Sequence, residues 1–113
     1  NPEERPSTGQ DATVAGVQRI IAGQQYMTVY KATDKETKAA AEIAVALAEG
    51  KKPKTQITEE VDNGKTKVPS VLLEPVAVTK DNVKETVVKD GFITADELCT
   101  SAYAKACEEA GIS

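Results

Sequence analysis

Residues 8–31 read TGQDATVAGVQRIIAGQQYMTVYK, and this stretch places a helical period directly ahead of a strand period. Val14, Val17, Ile20 and Ile21 recur at the spacing of one helix face, which predicts a helix from about Ala12 to Ala22. Asp11 or Thr13 can cap its first N–H groups, and Gly23 supplies the positive φ that ends it. The run YMTVY, Tyr26 to Tyr30, is β-branched and aromatic and predicts a short strand.

The alternation continues. Thr33 and Glu36 have capping-box spacing ahead of KAAAEIAVALAEG, which predicts a second helix with Ala40, Ile43, Ala44 and Leu47 on one face and a stop at Gly50. Asn63-Gly64 between two short alternating runs predicts a hairpin. VPSVLLEPVAV is extended in character but carries Pro69 and Pro75, so it belongs at a sheet edge or in a crossing between lobes. Thr79 ahead of Lys80 to Lys89 predicts a helix with Val83 and Val87 inward and Gly91 closing it. Thr94 and Glu97 form a second capping-box pattern, and a last helix runs from about Ala102 to Ala110 before Gly111. Helices alternating with strands indicate the α/β class.

Composition narrows the function classes. At 113 residues, 40% hydrophobic and 28% charged, the chain suits one modest globular domain. With 4% aromatics and no Trp, its core must come from Val, Ile, Leu and Ala. A net charge of -4 argues against nucleic acid and against an anionic membrane surface, both of which call for a basic face. The absence of His removes the commonest general base and zinc ligand. No apolar run approaches the ~18–20 residues of a membrane span. NPEERPSTGQ lacks the pattern of a signal peptide and reads as a loop between elements. No nucleophile–base constellation, nucleotide loop, metal site or cofactor motif stands out. Glu59-Glu60 and Glu108-Glu109 lie among lysines and read as solvated faces. These observations by themselves name neither a catalytic group nor a cofactor.

Cys99 and Cys107 are eight residues apart. In one continuous helix they would lie ~12 Å apart, too far for a disulfide. They pair only if the chain bends between them, for instance at CTS; otherwise they are two buried thiols.

Asp11 and Lys31 are the remaining candidates. In an α/β unit, the loop before a helix and the end of the following strand can share the ligand-facing edge. A carboxylate accepting from two neighbouring hydroxyls, beside an ammonium donating to a third oxygen, suits a polyhydroxylated ligand. The competing reading has Asp11 only capping the first helix and Lys31 only exposed.

These residues resemble the bacterial D-xylose-binding proteins, exported solute receptors of ATP-driven sugar uptake. The resemblance is carried by GQDA, MTVYK, VPSVLL and VVKDGF in that order, and it runs through AAAEIAVALAEGKKP almost to Cys99. It departs at Ala32 and Thr33, where many members carry Pro-Ile. It implies a type I periplasmic-binding fold of two α/β lobes joined by three hinge crossings, of which this chain corresponds to the C-terminal part only. It further implies that Asp11 and Lys31 contact the sugar. Residues 1–31 would then belong to the C-terminal lobe, 32–66 would pack on the N-terminal lobe, and 67–113 would hold a hinge crossing, the last helices and the tail. The implied partners are D-xylose or a similar monosaccharide, an ABC permease and the missing N-terminal part of the same protein, with self-association of the shortened chain as a consequence. The implied location is extracytoplasmic, periplasmic or as a cell-surface lipoprotein. The rival class is a ligand-sensing domain of a sugar-responsive regulator or histidine-kinase-coupled receptor; a third is a self-contained interaction domain.

Overall fold

The computed structural model describes residues 4–53 and 57–112. The chain divides into two compact units, one made of residues 1–31 and 75–113 and the other of residues 32–74.

The first unit begins with α1, Val14–Ile21. Thr13 is its N-cap, and the threonine hydroxyl accepts from the Gly16 N–H at 3.2 Å. The C-terminus closes in the manner expected of Gly23. That residue has φ +70°, and the Gln24 N–H donates back to the Arg19 carbonyl at 2.7 Å. Val17, Ile20 and Ile21 are buried, so the apolar stripe faces the core. Strand β1, Thr28–Tyr30, is shorter than its sequence pattern. Its first two expected residues pair elsewhere: Tyr26 N–H donates to Ser7 and Gly9 N–H to Met27, both at 3.0 Å, around a parallel bridge from Thr8 to Met27.

β1 pairs antiparallel with β4, Val76–Val78, in the register Thr28↔Val78 and Tyr30↔Val76. Pro75 lies just ahead of β4, outside the ladder. The predicted helix over residues 80–89 is instead a turn followed by a single π-helical turn, Lys84–Val88. Its N–H groups reach five residues back, Val88 to Val83 and Lys89 to Lys84. The cause is local. The Thr86 hydroxyl donates to the Asn82 carbonyl at 2.6 Å and to that of Val83 at 3.3 Å, competing for acceptors an α-helix would use. The cap also differs from expectation, because Asn82 Oδ1 accepts from the Thr79 N–H. Val83 and Val87 still face inward.

Helix α3, Ala95–Leu98, carries the second capping box in full. Thr94 Oγ1 accepts from the Glu97 N–H, and Glu97 Oε2 accepts from both the N–H and the hydroxyl of Thr94. Those two bonds, the backbone one first, hold the Glu97 carboxyl below its ordinary range. A carboxyl depressed in the folded state stabilises above its unfolded pKa and ceases to do so as pH falls through the folded value. Glu97→Gln is therefore expected to lower the urea midpoint more at neutral pH than at an acid pH that protonates the folded carboxyl. Equal losses at both values would show that the charge is irrelevant.

Helix α4, Ala104–Glu109, is preceded by a turn in which Tyr103 N–H donates to Thr100. That turn supplies the bend between the cysteines. Cys99 and Cys107 are joined in a disulfide, with Cα atoms 5.7 Å apart and Cys107 buried. Gln18 on α1 ties the tail in by donating to the Leu98 carbonyl at 3.1 Å.

The second unit holds α2, Thr33–Ala48, and a hairpin of β2, Glu59–Asp62, with β3, Lys67–Ser70. The capping box expected at Thr33 and Glu36 does not form. The helix starts one residue earlier than that pattern requires, so its N-cap is Ala32, which has no oxygen to offer. Asp34 and Glu36 in the first turn still favour the positive helix end. The expected apolar face is also rotated: Ile43 is half-buried, together with Ala39 and Ala46, whereas Ala40, Ala44 and Leu47 are exposed. No residue of α2 is buried among those described. The hairpin turns at Asn63-Gly64 as predicted. Gly64 has φ +85°, Asp62 Oδ1 accepts from its N–H, and Asn63 Oδ1 accepts from Lys65 and Thr66. Pro69 stands opposite Glu60 in a two-stranded ladder, where an edge position spares its missing N–H.

Candidate functional site

Asp11 and Lys31 both belong to the first unit. Lys31 follows the last residue of β1, and Asp11 lies in the loop before α1. Their side chains meet, with Lys31 Nζ 2.8 Å from Asp11 Oδ1. Asp11 is not the cap of α1, since Thr13 takes that role. Its carboxylate is therefore not spent on the helix end.

The loop that presents Asp11 is bent against ordinary preference. Asp11 has φ +71° and Ala12 φ +44°, the two positive-φ non-glycine residues among those described. Asp tolerates this region; Ala does not readily, and each such residue costs on the order of 1–3 kcal/mol. Ala12 is fully buried and its N–H donates to Thr28 Oγ1 at 3.3 Å. Tyr30, beside Lys31, is also buried. Its hydroxyl donates to Asp90 Oδ2 at 3.3 Å, and its ring lies 4.9 Å from that of Phe92. Both ends of the pair thus rest on ordered backbone, while the charges remain accessible: the Asp11 side chain is 65% exposed and that of Lys31 43%.

An acid and an amine in contact offer carboxylate lone pairs and ammonium protons with no net charge. That is donor and acceptor capacity for hydroxyl groups. An apolar groove of about 550 Å³ lies in the other unit, lined by Glu36, Ile43, Leu72 and neighbours. It brings one carboxylate and no donor side chain, so it lacks this chemistry. Among the described residues, no three His, Cys, Asp or Glu side chains gather as a metal site would require.

Over 91 residues, 80% of its length, the chain is 52% identical to the D-xylose-binding periplasmic protein of Escherichia coli (strain K12). It is homologous to periplasmic sugar-binding proteins. The multiple sugar-binding periplasmic receptor ChvE of Rhizobium radiobacter is 44% identical over 91 residues. Among solved structures, the carbohydrate transporter solute binding protein of Chloroflexus aurantiacus, in complex with D-glucose, superimposes with a TM-score of 0.74 at 39% identity, over 80% of this chain and 26% of that one. An ABC transporter solute binding protein from Clostridium phytofermentans, with bound β-D-glucose, gives 0.71 at 33% identity, over 82% of this chain and 29% of that one. No family model matches the chain. The described fold is thus part of a type I periplasmic-binding fold. The chain spans about 27% of the length of the curated D-xylose-binding relatives.

The sequence names Asp11 and Lys31 by residue type and position. It does not name Thr28. A threonine inside MTVYK is an ordinary strand residue, and nothing local marks its bond to an alanine sixteen positions earlier.

Proposed function

We propose that the chain is the sugar-contacting C-terminal part of a non-enzymatic, extracytoplasmic solute receptor that delivers a xylose-type pentose to an ABC permease. The observation that carries this reading is the Asp11–Lys31 pair, 2.8 Å apart and supported by a constrained loop on one side and a buried strand end on the other. Asp11 accepts from sugar hydroxyls and Lys31 donates to a hydroxyl or ring oxygen. Residues 1–31 contribute to one lobe and 32–66 pack on the other. The chain crosses between lobes near 31–33 and again in VPSVLLEPVAV. Ligand closes the lobes because it makes contacts in the closed form that it lacks in the open one.

Pentose is favoured over hexose by the xylose-binding relatives, 52% and 50% identical. The neutral pair further favours an uncharged sugar, because it supplies no net positive charge to offset the desolvation of an added carboxylate. Calorimetric titration of the full-length product of the gene that encodes residues 1–113 tests both points. D-Xylose is expected to bind at least about tenfold more tightly than D-glucose, the discrimination one extra carbon group supports. D-Glucuronate is expected not to bind. D-Glucose binding as tightly as D-xylose would overturn the pentose assignment, and glucuronate binding at the level of the neutral sugars would overturn the charge argument.

A further inference from the structure

We infer that Thr28 is a positioning residue for sugar binding, acting through the backbone N–H of Ala12 to hold the Asp11 carboxylate at Lys31. The inference rests on the reading of Asp11 and Lys31 as sugar contacts and extends it to a residue that touches neither.

Three observations converge. First, Thr28 is a polar side chain buried to 1% exposure, and its Oγ1 accepts from the Ala12 N–H at 3.3 Å. Ala12 itself is fully buried, so this N–H has no water to fall back on. Second, the bond lands on the loop where backbone strain is concentrated, since Asp11 and Ala12 are consecutive positive-φ residues. Alanine gains nothing intrinsically from φ +44°, so an external tie must compensate. Third, the loop seats closely on the same side-chain pair from its other end. A Cβ on Gly9 would come 2.8 Å from Gln25 Nε2 and 3.6 Å from Thr28 Oγ1. Gln25 is fixed in turn, donating to the Met27 carbonyl at 3.0 Å and accepting from Arg19 Nε at 3.2 Å.

Thr28 and Lys31 both follow from the course of β1, three residues apart. The strand that carries the amine therefore also carries the hydroxyl that sets the carboxylate opposite it. Without the hydroxyl, the Ala12 N–H is left buried and unpaired. The loop then relaxes toward ordinary φ, which turns the Asp11 side chain away from the amine. An ion pair held at 2.8 Å is lost when one partner's backbone turns away.

The test uses the full-length gene product, with D-xylose as probe and affinity read by calorimetry. Thr28→Val keeps the shape and removes the acceptor; Thr28→Ser keeps the acceptor. Affinity is expected to fall about tenfold, about 1.4 kcal/mol, in Thr28→Val and to stay within about threefold of the parent in Thr28→Ser. Asp11→Asn is measured alone and combined with Thr28→Val. If Thr28 works through Asp11, the valine change adds less than about twofold once the carboxylate is gone. Additive losses would mean a general structural effect and overturn the inference. So would Thr28→Val binding within twofold of the parent while Asp11→Asn loses binding; that outcome leaves the sugar-contact reading intact. Asp11→Asn binding like the parent overturns the sugar-contact reading, and this inference with it. If Thr28→Val does not fold, Thr28→Cys, whose sulfur is a weak acceptor, is read by the same criteria.

Discussion

Asp11→Asn and Lys31→Met are each expected to weaken D-xylose binding by about a hundredfold or more, while changing folding stability by less than about 1 kcal/mol. The two magnitudes come from the same pair in two environments. In the structure the Asp11 and Lys31 side chains are 65% and 43% exposed, so water screens their attraction and competes for both charges. Exposed ion pairs of this kind contribute about 0–1 kcal/mol to stability. If a sugar occupies the site as proposed and excludes water, each charged group makes hydrogen bonds worth about 1.5–3 kcal/mol apiece. Losing one or two of these, with the partner charge left uncompensated, corresponds to a hundredfold or greater loss of affinity. Calorimetry of binding and urea unfolding of the same samples check the two halves. A variant that binds normally would remove this pair from the site. A variant that loses binding and stability together would reassign the pair to the fold.

How far the sequence reaches depends on whether an element is determined locally. The α1 stripe, the Asn63-Gly64 hairpin and the Thr94–Glu97 capping box depend on residues within a few positions of one another, and their patterns name them. The π-turn does not have that property. The helical spacing of Val83 and Val87 is the same for α and π geometry to within the sequence signal, and no pattern marks in advance the Thr86 hydroxyl bonds that accompany the π-turn. The start of α2 fails as a prediction for a similar reason. T-x-x-E at Thr33 is satisfied as a pattern, but the chain enters the helix one residue sooner and the threonine is inside it. At the site, the chemistry and the shared edge are legible and the contact distance is not. Asp11 and Lys31 are recognisable as a donor–acceptor pair for hydroxyls; that their atoms lie 2.8 Å apart depends on a strained loop and on a bond from Ala12 to Thr28 across sixteen residues.

Leu98→Ala is expected to do the opposite of Asp11→Asn, lowering stability by about 3 kcal/mol while leaving the affinity of the folded protein within about threefold. Leu98 is fully buried at the end of α3, an element of only four residues. So short a helix has little intrinsic stability; it is held by its capping box, by packing against α1 and by the Gln18 amide on the Leu98 carbonyl. Truncating the side chain removes its transfer free energy and leaves a cavity, a combination that costs about 2.7–5 kcal/mol in buried leucine series. The low end applies here, because a four-residue helix can shift to close part of the void. Domains are stable by about 5–15 kcal/mol in total, so the loss is a fifth or more of what holds the unit together. The disulfide limits its spread: Cys99, next to Leu98, remains tied to buried Cys107 and keeps α4 in place. Urea unfolding with the disulfide intact checks the magnitude, and a change below about 1 kcal/mol would mean that Leu98 is not a structural anchor. A loss of the expected size would instead separate stability and affinity by position within one unit, Leu98 governing the first and, on the proposed reading, Asp11 the second. That separation is expected of a binding pair displayed on the core and not built into it.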